Sequence, residues 1–378
     1  NSCIAHTERE IIEMDNYTML LPNYTIGAKC YDEICRFCAP YGKKAVIIGG
    51  HKALAAAEKK IREAVEGSSV EIIGTLWYGG ESSYENVDKL IKSAEVEDAD
   101  MIFAVGGGKA LDTCKCIGDK MSKPVFAFPT IASNCSCCTS VSIMYSEDGV
   151  FLHPYFFLQP PVHAFINTQI MCEAPYKYLW AGMGDTYAKY YEATMSARGD
   201  ELEHYTEMGV TISKMCAGPV LRYGAKALED NKNKICSEEF KEVALAVTAV
   251  TALASIYLTR DHTPDYNSGM AHAVFYTLTA VKNIEENHLH GEVVAFGVLI
   301  CLLIDGQNDE FEKIYKFNKS VGLPTSLDDI EISEEQIDAL IPKMPDMSDI
   351  RHNPYKITEE MIREAFERLR IYNMKGCF

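Results

Sequence analysis

The chain has 378 residues, 47% hydrophobic and 24% charged, which is enough for two packed cores in the ordinary globular range. Thirty-six basic residues against 54 acidic ones give a formal net charge of −18. That balance opposes attraction to phosphate backbones and anionic membranes, so neither nucleic acid nor a membrane is expected as a partner. No uninterrupted apolar run of about 18 residues occurs, as a spanning helix would need.

The segment Asn1 to Asn23 carries charges where a secretory signal would need an apolar core. The 14 cysteines are scattered, without a framework of evenly placed pairs. Both features fit a reducing, cytoplasmic setting. In that setting the Asn-x-Ser/Thr matches at Asn16, Asn23, Asn134 and Asn318 carry no glycan.

From about Lys43, short apolar runs alternate with helical stretches. Residues 45–50 read as a strand, 52–65 as a helix, 70–75 as a strand, 84–94 as a helix and 101–106 as a strand. A helix from Lys109 and a strand over 125–128 follow. This alternation predicts a parallel sheet wound with helices, and burial on both faces explains the lack of polar alternation in Met101–Val105. After the Pro-rich segment Leu158–Val162 the texture changes, and from about Ala174 nearly everything has helical period. The expected fold is an α/β N-terminal domain over residues 1–165 and an all-α C-terminal domain over 166–378. The charged stretch Ile357–Arg370 reads as an amphipathic surface helix.

Three glycines, Gly106, Gly107 and Gly108, join the strand ending at Val105 to the helix that Lys109 opens. Glycines there let backbone N–H groups approach a phosphate, and the helix N-terminus adds partial positive charge. The turn therefore suits a dinucleotide pyrophosphate, although three glycines also serve a plain tight turn. Farther along, Asp185, His272 and His290 are a donor set suited to Zn²⁺ or Fe²⁺ with a position left for substrate. The histidines lie 18 residues apart, so they form no local motif, and each alone reads equally as a core or surface residue.

Taken in order, the glycine turn, Pro129–Ser133 (Pro-Thr-Ile-Ala-Ser), Ser142–Tyr145, Ala181–Asp185, Ala271–Ala273 and His290–Glu292 carry a resemblance. They resemble the glycerol dehydrogenase branch of the iron-containing (group III) alcohol dehydrogenases, from about residue 20 to near the C-terminus. The resemblance implies a dehydroquinate synthase-like, glycerol dehydrogenase-like fold whose first domain binds NAD(P)H. It implies that Gly106, Gly107, Gly108, Lys109 and Asp112 hold the pyrophosphate, while Thr130, Ser133, Thr139, Val141 and Tyr145 line the dinucleotide. It further implies that Asp185, His272 and His290 bind a divalent metal, Zn or Fe, which polarises a hydroxyl or carbonyl while hydride passes to or from the nicotinamide. A homo-oligomer, a dimer or octamer, is implied as well.

The chain departs from the glycerol enzymes at three places. Cys135 stands where they carry an aspartate that contacts substrate hydroxyls. In this it looks like the hydroxycarboxylate dehydrogenases of the same family, and the lost charge admits a 2-hydroxy or 2-oxo carboxylate; Cys135 also reads as small filler. Phe275 and Tyr276 replace a histidine and an asparagine, giving a more aromatic pocket or simply core packing. Where an acidic residue would meet the adenosine ribose, the chain has Gly50, His51 and Lys52, which leans toward NADPH; Lys52 equally solvates a helix start.

Two other classes fit parts of the sequence. Cys135, Cys137 and Cys138, with Cys35 and Cys38, suggest a thiol redox or metal-sensing protein. A cyclising lyase of the same architecture would need extra basic residues, for which only Lys189 and Lys282 lie near the metal motifs.

Overall fold

The computed structural model describes residues 17–376. The stretch through residue 16, part of the segment read above as unlike a secretory signal, and the Asn16 match lie outside the described residues.

In chain order, strand β1 (Tyr24–Ile26) precedes β2 (Lys44–Gly49), helix α1 (His51–Val65), β3 (Glu71–Trp77), helix α2 (Tyr84–Ile91), β4 (Met101–Gly106), α3 (Gly108–Met121) and β5 (Val125–Pro129). A hairpin of β6 (Val141–Tyr145) and β7 (Phe151–Phe156) follows, and then β8 (His163–Ile166). Six strands form a parallel sheet in the order β1-β8-β5-β4-β2-β3, while β6 and β7 pair antiparallel on their own. Strands β4 and β5 are buried along their whole length, which is why their sequences are unbroken apolar runs.

The predicted strand over 70–75 runs instead from Glu71 to Trp77. The helix predicted over 84–94 stops at Ile91, and the Ser93 hydroxyl donates to the Leu90 carbonyl at 2.7 Å. A second short helix then starts, Ala94–Asp98.

Beyond β8 the regular elements of the described residues are all helical. Those that build the site or enclose it are α4 (Lys177–Ser196), α5 (His204–Lys232), α6 (Met270–Leu278), α7 (His290–Ile304) and α8 (Glu359–Lys375). One run, Glu238–Leu258, is long and apolar enough to cross a membrane by length and composition alone, and it lies mostly buried inside the protein. The tail helix starts later and ends later than expected. The Thr358 hydroxyl caps it by accepting the Met361 N–H at 3.3 Å, and Gly376 stops it in a left-handed conformation.

The chain leaves β2 for β3 on one side and returns to β4 on the other. The crevice between the carboxyl ends of β2 and β4 is therefore a topological switch point, where such sheets bind ligands. Gly50 and Gly106 meet there, since a Cβ on Gly106 would lie 4.0 Å from the Gly50 nitrogen.

Candidate active site

The glycine turn closes one end of the crevice. Gly106 has φ +155, and a Cβ on Gly108 would lie 2.6 Å from the Asn134 Nδ2. The loop after β5 is laid directly over the turn, and only glycine leaves room for it. The Thr130 N–H donates to the Gly106 carbonyl at 3.1 Å, so strand, turn and loop form one unit at the N-terminus of α3. The orphan N–H groups of that helix start, with its dipole, make it an anion cradle.

Lys109 extends from the turn beneath the Tyr145 ring, with its ammonium 5.0 Å from the ring centroid. Its Nζ pairs with the Glu81 carboxylate at 2.5 Å. Asp112 is buried and spends its carboxylate internally. One oxygen accepts from Ser136 Oγ at 2.6 Å and pairs with Lys115 Nζ at 2.9 Å, and the other accepts the Ile143 N–H at 3.1 Å. Lys115 reaches on to the carbonyls of Ser136 and Val141 and to the Thr139 hydroxyl. This buried network fixes the loop from Cys135 to Val141 that borders the cleft.

Directly across the crevice from the turn, Gly50 caps α1. The His51 ring stacks on Trp77 with centroids 5.1 Å apart and planes 12° from parallel. Lys52 is exposed and makes no ion pair among the described residues.

The opposite wall comes from three helices. Helices α4 and α7 cross in close contact, because a Cβ on Gly291 would sit 2.0 Å from the Ala181 carbonyl oxygen and 3.1 Å from the Asp185 Cβ. That contact brings Asp185, on α4, beside His290, the first residue of α7. Gly182 does the same toward the loop after β5, where a Cβ would lie 2.5 Å from the Ala132 carbonyl oxygen and 3.0 Å from the Ser133 Cα.

Asp185 Oδ1 lies 3.4 Å from His272 Nε2 and 3.5 Å from His290 Nε2. One ligand atom from each of the three lies within 4.8 Å of the others. Bonds of about 2.1 Å to a metal place tetrahedral neighbours about 3.4 Å apart, whereas a direct N–H···O bond is closest near about 2.9 Å. The spacing therefore fits three donors facing a common centre, and it is the one such cluster found among the described residues.

Glu192 completes the arrangement, and sequence reasoning missed it. It follows Asp185 by seven residues on α4, two helical turns along the same face. Its Oε2 lies 2.7 Å from His272 Nδ1, and its Oε1 accepts the N–H groups of Gly269 at 2.8 Å and His272 at 3.0 Å. A side chain of α4 thus caps α6 and accepts a hydrogen bond from His272 Nδ1–H, so that Nε2 is the nitrogen turned toward Asp185. Burial by itself would lower the His272 pKa, but the Glu192 charge and the bonds to Asp185 and Glu192 push it up to about 10. Burial would raise the Asp185 carboxyl, but hydrogen bonds from both histidines hold it well below the usual carboxylate range.

Phe275 meets the His290 ring edge-on at 4.3 Å, and Tyr276 follows it on α6. Phe151 of the hairpin approaches Tyr276 at 6.3 Å, so β7 reaches across the cleft mouth. Cys135 borders the same space, and burial pushes its thiol up to about 12, leaving it neutral at ordinary pH. Cys137 and Cys138 are buried with sulfurs 3.7 Å apart. Cys35 and Cys38 lie in the short helix Ile34–Cys38 and pack into a different hydrophobic cluster from Cys137 and Cys138. Twelve described cysteines are all free thiols. Of the two lysines near the metal motifs, Lys282 is a surface residue paired with Glu286 at 2.8 Å; Lys189 is buried.

The family model described as iron-containing alcohol dehydrogenase matches residues 22–162. Over 300 residues, 75% of this chain and 78% of the relative, the sequence is 32% identical to glycerol dehydrogenase of Thermotoga maritima. It is 30% identical over 331 residues to hydroxycarboxylate dehydrogenase A of Escherichia coli, covering 86% and 89% of the two chains. The solved structure of a probable glycerol dehydrogenase from Sinorhizobium meliloti superposes with a TM-score of 0.80 at 25% identity, over 95% of this chain and 99% of that one. The chain belongs to the iron-containing alcohol dehydrogenases, in their glycerol dehydrogenase branch, and is a metal-dependent oxidoreductase acting on alcohols.

Proposed function

We propose that the protein interconverts a 2-hydroxy and a 2-oxo carboxylate, with residues 1–165 holding the nicotinamide cofactor and residues 166–378 holding metal and substrate. A bound divalent metal supplies Lewis acidity to the substrate oxygen, and the nicotinamide gives or takes hydride. Asp185, His272 and His290 are the residues that would hold the metal, and their spacing fits that role. Glu192 keeps His272 in the tautomer whose Nε2 can ligate. Phe275 and Tyr276 shield the approach to His290, and the turn at Gly106–Gly108 anchors the pyrophosphate so that the ring reaches the same cleft.

The observation that carries the substrate reading is the neutral thiol of Cys135 at the cleft wall, a position at which the resemblance to the glycerol enzymes implies a carboxylate. Without that negative charge, an anionic substrate meets no repulsion. Glycerol is the second reading, and it rests on the glycerol dehydrogenase among the close relatives. The exposed Lys52 beside His51, without an ion pair among the described residues, supports NADPH, with Zn or Fe as the metal.

The test is a panel of 2-oxo acids, neutral ketones and polyols against NADH and NADPH, followed at the nicotinamide band with metal analysis of the same sample. A 2-oxo acid should give the highest kcat/KM, and Cys135→Asp should lower it about tenfold or more while improving glycerol. A wild-type preference for glycerol, or an unchanged preference in the variant, would overturn the carboxylate assignment.

A further inference from the structure

Lys189 is a buried cation without a counter-charge among the described residues. It lies one turn after Asp185 on α4 and is 7% exposed. Its Nζ donates to the Asn267 Oδ1 at 2.7 Å and to the Asn267 backbone carbonyl. Both partners are neutral. No carboxylate lies within 4.0 Å of it among the described residues, since Asp185 faces the two imidazoles and Glu192 is committed to His272 and two backbone N–H groups. An ammonium has three donors, so one N–H remains over. Burying a charge without a partner is unfavourable, a cost that a charged ligand removes when it binds.

The position of Lys189 says which ligand. Residues one turn apart on a helix have Cβ atoms about 5–6 Å apart, so Lys189 and Asp185 leave α4 on the same face. Asn267 is two residues before Gly269, whose N–H rests on Glu192, so the ammonium sits at the entrance to the helix that carries His272. Its charge also reaches the Cys135 thiol, opposing burial and Asp185 there. The site thus sets a fixed cation on one side of the metal donors and a neutral thiol near it. We propose that Lys189 binds the carboxylate of the substrate and is the residue that makes the pocket select an anionic 2-oxo or 2-hydroxy acid over a neutral ketone or polyol. This rests on the carboxylate reading above and assigns the group that enforces it.

Pyruvate and hydroxyacetone share a skeleton and differ only in a carboxylate against a hydroxymethyl group, so they isolate the charge. With the metal-loaded enzyme, Lys189→Met should lower kcat/KM about 100-fold for pyruvate, mainly through KM, and less than tenfold for hydroxyacetone. Lys189→Arg should recover most of the pyruvate loss. Oxamate, a non-reacting 2-oxo acid mimic, should lose affinity in parallel when titrated calorimetrically into the NADH complex. If Lys189→Met does not fold, Lys189→Gln keeps the donors to Asn267 and is measured in its place. Equal losses on the two ketones, or unchanged oxamate binding, would overturn the role of Lys189 while leaving a wild-type preference for pyruvate intact. A wild-type enzyme that prefers hydroxyacetone overturns the carboxylate reading itself, and the Lys189 assignment with it.

Discussion

The two sides of the cleft are made of different materials. On the side of the glycine turn one strand-turn-helix unit, Met101 to Met121, offers backbone N–H groups, and its chemistry depends on side chains being absent at Gly106–Gly108. On the other side the working groups are side chains of α4, α6 and α7, held in register where Gly184 and Gly291 let two helices touch. A backbone cradle is local and tolerant of what surrounds it. A side-chain cluster assembled across nearly a hundred and more residues of chain, Asp185 to His272 and His290, exists only if the packing is right.

If the two sides are separable, variants on each should fail in different ways. His272→Ala should lower kcat/KM about 1000-fold or more, because a ligand of the centre is lost, while NADH affinity measured by fluorescence titration stays within about threefold. Gly108→Ala pushes a methyl toward Asn134 and should weaken NADH about tenfold, with metal content unchanged by elemental analysis. A loss of cofactor affinity in His272→Ala, or of metal in Gly108→Ala, would show that the two sides act as one.

Within the helical side, Glu192→Gln separates positioning from ligation. The Gln amide can still accept from the Gly269 and His272 N–H groups, but it offers a donor to His272 Nδ1 and so favours the tautomer that blocks Nε2. Metal affinity by chelator competition should fall about 10–100-fold, with the smallest change in melting temperature of the metal-free protein near pH 10, where the proton on His272 no longer contributes. Unchanged affinity would reduce Glu192 to a cap for α6.

What was legible in the sequence follows the same division. Strands β2, β4 and β5 and the turn after β4 were readable because each is buried on both faces and contiguous. Strands β1 and β8 were not, since they are three and four residues long and find each other as Tyr24 opposite Ala164, too short and too distant for periodicity. The hairpin β6–β7 was seen as a motif at Ser142–Tyr145 but not as strands, with Pro154 inside β7. The metal donors became a set only through resemblance, because their spacing has no local meaning. Glu192 did leave a trace, seven residues after Asp185, whereas nothing in the sequence around Glu81 marks it as the partner of Lys109.

The smallest effect sought is thermodynamic and concerns the protein stripped of metal. There Glu192 and Asp185 hold the His272 pKa up to about 10 against an ordinary value of 6.5. The folded chain then binds a proton that the unfolded chain releases between those values. The resulting stabilisation is complete below about pH 6.5 and is lost as pH rises toward 10. The depressed Asp185 carboxyl contributes in the opposite sense and only in acid, since its stabilisation is present above the unfolded carboxylate value and lost below it. Melting curves of the chelated protein should therefore decline by several degrees from pH 6.5 to 10, and His272→Ala should flatten that decline. A metal competes with this proton for Nε2, so the loaded enzyme should show the opposite trend, with metal affinity rising over the same range. A chelated His272→Ala variant with an undiminished decline would place the titrating group elsewhere and leave the Glu192–His272 pair without its electrostatic role.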